Sequence, residues 1–141
     1  MKTERDRLAR LKRLEKIRAI AKQTAAAEAA QAESTLSQLQ SLNERTRRMA
    51  ADYTSRRDAT DGASLHHMGR FVSGLQTLSR NTEGDAQRAQ AIADAKQKLL
   101  AEAERRRAAI EERAAATARL IAKGSEKPVL GSRKGTGTLL D

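Results

Sequence analysis

His66 and His67 stand side by side and are the only imidazoles in the chain. Two imidazoles can hold one metal ion, or pass one proton, only when both reach the same point. Neighbouring residues on a helix diverge by about 100°, whereas a chelating pair sits four residues apart on one face. The pair therefore reads as two surface histidines close to a chain reversal. A second stretch, Gly131-Ser132-Arg133-Lys134-Gly135-Thr136-Gly137, has the residue types of a phosphate-binding loop, but not in the order such a loop needs, and no strand precedes it. The absence of cysteine excludes disulfides and thiolate zinc sites. No catalytic constellation, cofactor site or metal site is legible. The expectation is a protein that is not an enzyme and takes no small-molecule substrate.

What remains is chemistry of association. Residues 1–22 hold nine basic and three acidic groups, a net +6 of the chain's +10, and Arg7, Arg10, Lys12, Arg13, Lys16 and Arg18 have too few local acidic partners to be neutralised. Residues 23–62, with five basic and six acidic groups, sum to −1. A second group is apolar. Tyr53 and Phe71 are the only Tyr and Phe in a chain without Trp, and with Met49 and Met68 they flank the expected chain reversal. Phe71 and Val72 are adjacent, and consecutive large side chains cannot both enter the narrow seam of a helix pair. One of them is expected to point outward as a binding contact.

The elements that position these groups are helices. Leu, Ile, Val and Phe number 23 of 141 residues, too few for an ordinary core, while Ala, Arg, Lys, Glu, Gln and Leu, the best helix formers, fill most of the length. Residues 3–58 contain no glycine or proline. Their apolar stripe follows Leu11, Leu14, Ala21, Ala25, Ala32, Thr35, Leu39, Leu42, Thr46, Met49 and Tyr53, with interruptions at Arg18 and Glu28. Such a helix would run roughly 80 Å at 1.5 Å per residue. Asp61-Gly62-Ala63-Ser64 offers a turn and a cap, so the tip is placed at 59–63. A second stripe runs through Leu65, Met68, Phe71, Val72, Leu75 and Leu78, then Ile92, Leu99, Ala103, Ile110, Thr117, Leu120 and Ile121. Gly84 lies between its blocks; a continuous helix with a soft spot is favoured over a break into pieces 64–80 and 85–122.

The expected fold is all-α: a long antiparallel two-helix coiled-coil hairpin over 1–122, with arms at about 3–58 and 64–122, and a flexible, disordered tail over 123–141 that starts at Lys123-Gly124-Ser125-Glu126-Lys127-Pro128. The alanine-rich middle of the first arm buries little apolar area, so the hairpin should be only marginally stable alone. Acid-before-base pairs four apart, Glu44 with Arg48, Asp52 with Arg56, Asp94 with Lys98 and Glu102 with Arg106, should decorate its surface. An antiparallel hairpin gathers the basic residues at one end, suited to an acidic partner.

With that pattern laid out, the chain resembles the flagellar export protein FliJ family and its counterparts in virulence type III secretion. The resemblance covers about residues 5–122. It is carried by Arg7-Leu8-Ala9-Arg10-Leu11-Lys12-Arg13-Leu14-Glu15-Lys16-Ile17-Arg18, by the Ala/Gln-rich arm ending in Leu39-Gln40-Ser41-Leu42, by Tyr53 before a short Gly-containing link, by Arg70-Phe71-Val72-Ser73-Gly74-Leu75, and by the charged stretch 102–113. It implies a coiled-coil stalk whose basic end, with Arg7, Arg10, Lys12, Arg13, Lys16 and Arg18, enters the hexameric flagellar export ATPase. It also implies contact with export chaperones, and docking on a transmembrane export gate protein through Met49, Tyr53, Phe71 and Leu75. Met49, where another aromatic residue would be expected, Thr82 and the shorter link depart from the family's pattern. The implied location is the cytoplasm, peripherally associated with the inner membrane at the flagellar base. The alternative is a basic coiled-coil nucleic-acid-binding protein, allowed by a pI near 10.7 but short of stacking aromatics.

Overall fold

The computed structural model describes the backbone of two helices, α1 (Lys2–Ser55) and α2 (Gly62–Leu140), and the side chains of residues 2–55 and 62–124. The helices pack against each other as a hairpin, and no strand occurs among the described residues. Residues 56–61, which include most of the tip expected at 59–63, lie outside the described residues. The backbone of α2 runs on to Leu140 through the stretch expected as a tail from 123, whose side chains beyond Gly124 also lie outside the described residues. Gly84 sits within continuous helix.

Burial along each helix has a seven-residue period. In α1, every residue between 4 and 53 that loses accessibility falls on alternating steps of four and three, apart from Ala19 and Ala26. In α2 the same holds between 68 and 124, apart from Glu83, Gly84, Glu104 and Ala116. A heptad repeat of this kind is the signature of a coiled-coil seam. With its positions lettered a to g, Lys22, Ala29, Leu36, Asn43 and Ala50 take a in α1, and Leu11, Arg18, Ala32, Leu39 and Tyr53 take d. In α2, Val72, Ser79, Ala93 and Arg107 take a, and Leu75, Thr82, Ala89 and Thr117 take d.

The expected stripes are half right. Their d members lie in the seam, but Leu14, Ala21, Thr35, Leu42 and Met49 of α1, and Phe71, Leu78, Ile92, Leu99 and Leu120 of α2, occupy g, one residue from an a position, and flank the seam instead. Leu42 is 38% exposed, Met49 44% and Ile92 54%. In α1 both lines mix apolar with polar residues, so the sequence leaves the choice close. The a line is favoured because its polar members find partners across the seam and its alanines let the helices approach. Leu36 then packs against Ala89 and the wholly buried Ala93, with Ala32 and Leu39 alongside.

By contact the hairpin divides into two units, unit 1 (Met1–Ala25, Leu99–Asp141) and unit 2 (Ala26–Lys98). In unit 2, Lys96 donates to Glu28 at 3.1 Å, Ser79 donates to the Asn43 side-chain carbonyl at 3.0 Å, and Tyr53 meets Phe71, so the two helices run antiparallel. Arg47 and Glu83, both at e, pair at 3.3 Å. Buried threonines stay satisfied by bonding back along their own helix: Thr46 to the Leu42 carbonyl at 2.8 Å, Thr82 to the Leu78 carbonyl at 2.7 Å. Of the expected surface pairs, Glu44 and Arg48 meet at 3.1 Å, while Asp94 accepts instead from Gln90 at 3.0 Å. Asp52 and Arg56 cannot be compared, since Arg56 lies outside the described residues.

In unit 1 the seam mixes Leu8, Leu11, Leu100 and Ile110 with Arg18, Lys22 and Arg107, and Glu104 beside it gathers ion pairs from both helices. Glu104 accepts from Arg107 at 2.8 and 2.9 Å and from Lys22 across the seam at 2.7 Å, while Arg107 also reaches Glu111 at 2.7 Å. These hydrogen bonds, the one from Arg107 first, hold the Glu104 carboxyl down from 4.5 to about 2. A pKa depressed in the folded state gives a stabilisation that is complete above the unfolded value and fades as pH falls through the folded one. Glu104→Gln should therefore lower the melting temperature by a few degrees at neutral pH. The gap from the parent should narrow below pH 4.5 and close near pH 2. Circular-dichroism melts of both proteins across that window measure it, and a gap independent of pH would remove the ion pairs as its cause.

Candidate functional site

Unit 2 carries the apolar candidates. Tyr53, half-buried at d, meets Phe71 edge-on, with ring centroids 4.7 Å apart and planes at 66°. Val72 turns into the seam and Phe71 remains 44% exposed, which is the outward partner the adjacent pair required. Of the other two residues expected to dock, Met49 is exposed at g and Leu75 is buried in the seam. Leu75 can act only by supporting its neighbours. Tyr53, Leu65, Met68 and Val72 line a shallow groove of about 300 Å³ at these helix ends. Leu65 and Met68 were not among the expected docking residues, although Met68 had been singled out with the aromatics. A second groove of about 360 Å³ lies between Thr35 and Ile92, floored by Ala32 and Ala89 and bounded by the Glu28–Lys96 pair.

His66 and His67 diverge as helix neighbours do, their rings 6.4 Å apart and tilted by 58°. Among the described residues, no cluster of three or more His, Cys, Asp or Glu could hold a metal ion, and no helix is long and apolar enough to cross a membrane.

Unit 1 carries the charge. It holds 18 basic and 9 acidic residues, a net +9, against 10 basic and 9 acidic in unit 2, a net +1. No family model, curated protein or solved structure matches the chain. Its function is therefore read from the residues themselves.

The six basic residues singled out in 1–22 do not share one environment. Arg7, Arg10, Arg13 and Lys16 are exposed and make no ion pair among the described residues, Lys12 is exposed beside Glu15 at 3.8 Å, and Arg18 is half-buried at a seam position. Arg18 thus serves the seam first, while Lys12 stays exposed in a pair within its own helix. The fold places further cations in the same unit: Arg105, Arg106, Arg113 and Arg119 of α2 are exposed, and Arg106, expected to pair with Glu102, makes no ion pair among the described residues. Their segment, 85–122, sums only to +2 because six carboxylates dilute its eight cations. Two of the six, Glu104 and Glu111, are occupied by Arg107 and Lys22, while Arg105, Arg113 and Arg119, like Arg106, make no ion pair among the described residues.

Proposed function

We propose that this chain is a non-catalytic stalk and chaperone-escort protein of the flagellar type III export apparatus, in which unit 1 binds the hexameric export ATPase and the Met49, Tyr53 and Phe71 surface of unit 2 binds the transmembrane export gate. The supporting observation is the segregation of charge, +9 in unit 1 and +1 in unit 2, on a two-helix coiled coil. A partner with an acidic binding surface would select unit 1, and an apolar partner would select the aromatic corner of unit 2. The family resemblance supplies the identity of the two partners and a cytoplasmic location beside the inner membrane.

ATP hydrolysis by the export ATPase of the same organism, titrated with this protein, tests the reading. Reversing Arg10, Arg13 and Lys16 to Glu takes residues 1–22 from nine basic and three acidic groups to six of each, a net charge of zero. Stimulation and binding should fall at least about tenfold, because each reversal replaces an attraction by a repulsion. Phe71→Ala should leave the ATPase response intact and weaken gate binding. Unchanged ATPase affinity in the triple variant would defeat the assignment. Salt-sensitive DNA binding without any effect on the ATPase would replace it with the nucleic-acid reading.

A further inference from the structure

The heptad register sorts the charges of unit 1 by flank. On the e flank stand Glu104 and Glu111, already engaged by Arg107 and Lys22. The g flank of the same unit carries Arg7, Leu14 and Ala21 from α1 and Leu99, Arg106, Arg113 and Leu120 from α2. It contains no carboxylate; Glu102, at c, borders it. Leu14 is 40% exposed, Leu99 49% and Leu120 54%, and none of Arg7, Arg106 and Arg113 makes an ion pair among the described residues. Leucines and guanidiniums without an ion pair among the described residues thus share one side of a helix pair at heptad spacing.

We infer that this flank is a docking site for an acidic amphipathic helix of another protein, which seats its apolar residues on Leu14, Leu99 and Leu120 and its carboxylates on Arg7, Arg106 and Arg113. A third helix laid along a coiled coil buries a heptad stripe of its own, and guanidiniums bordering that stripe select carboxylates at the positions beside it. The interleaved leucines favour a protein helix over a phosphate backbone, which would engage the arginines and leave the leucines in water. Both aromatic residues of the chain lie in unit 2, so unit 1 has no stacking platform for bases. A second copy docked by the same flank would set arginine against arginine, which disfavours self-association there.

The inference deepens the proposed reading and rests on it only for the use of unit 1 in partner binding; the chemistry of the flank stands on the register. A 21-residue helical peptide with Leu at a and d and Glu at e and g is the probe, titrated against the full chain by fluorescence anisotropy. A duplex DNA and vesicles of mixed neutral and anionic lipid are titrated alongside. Arg106→Glu with Arg113→Glu changes the g flank; Arg105→Glu with Arg119→Glu makes the same change of net charge at position f, on the outward face of α2. Peptide affinity should fall at least about tenfold in the first variant and by less than about threefold in the second, with helicity unchanged in both. Equal losses would reduce the effect to net charge and overturn the inference, as would tighter binding of DNA or vesicles than of the peptide with the same dependence on Arg106 and Arg113. If the peptide result holds and the export ATPase neither binds nor responds, the stalk reading falls and the flank stands.

Discussion

Leu36→Ala is expected to cost the hairpin about 2–4 kcal/mol, the range for removing a buried leucine whose surroundings close only partly over the gap. Leu36 is 5% exposed and, with Leu75, one of only two large apolar side chains among the ten buried residues described; the rest are five alanines and three threonines. Its neighbours Ala89 and Ala93 cannot extend into the space it leaves. Set against a total stability of order 5–15 kcal/mol, and towards the lower end for so thin a core, the loss should be large in a urea melt. Leu42→Ala, one heptad line away and 38% exposed, should cost under about 1 kcal/mol. That contrast decides the seam. Comparable losses at 36 and 42 would mean that both lines share the interface and that the helices are rotated from the register described. Adding Ala93→Leu to Leu36→Ala returns the volume from the other helix and should recover part of the loss, an interaction that a double-mutant cycle measures directly.

The same pair of residues shows how much the sequence makes legible. Helix, chain reversal and antiparallel pairing follow from spacing alone, because a stripe that repeats every seven residues over fifty has no other use in a chain with so few apolar groups. The d line, through Leu11, Ala32, Leu39 and Tyr53, is equally plain. The second line is not, because in α1 positions a and g both carry a mixture: Ala29, Leu36, Asn43 and Ala50 against Glu28, Thr35, Leu42 and Met49. Hydrophobicity favours neither strongly. The partner helix decides, through the bond from Ser79 to Asn43 and the tight fit of Leu36 on Ala89 and Ala93. For the candidate sites the limit was of another kind. Summing charge over a segment hides which side of the helix each charge takes, so Arg106 and Arg113 vanished into a nearly neutral total until the register separated them from Glu104 and Glu111.

A seam built this way trades stability for definition. Lys22, Asn43, Ser79 and Lys96 at a and d positions each displace an apolar side chain, yet each has one partner on the other helix that a shifted register would remove. A single polar residue at a seam position can fix register and partner number at a cost in stability. Here such residues recur in both units, so the helix pair is held in one alignment at some cost in stability.

Replacing Gly74 and Gly84 together by Ala should raise stability by about 1–2 kcal/mol, since each glycine in a helix interior costs roughly 0.5–1 kcal/mol relative to alanine. Neither site resists the added methyl group. At Gly74 it would meet nothing within 4 Å, and at Gly84 only the end of the Arg88 side chain at 3.8 Å, an ordinary contact. Both backbones are helical, and no glycine among the described residues has a positive φ. The gain comes largely from the unfolded chain, which loses freedom it would otherwise recover on melting. Gly69 is a different case, because it lines the groove beside Tyr53 and Leu65 and an added methyl group would narrow it. Urea melts of the Gly74→Ala/Gly84→Ala variant give the stability, and binding to the gate gives its consequence. Increased stability with unaltered binding would make the glycines neutral fillers. Increased stability with weakened binding would mean that docking uses the freedom the two glycines give α2, and the single variants Gly74→Ala and Gly84→Ala would show which of them supplies it.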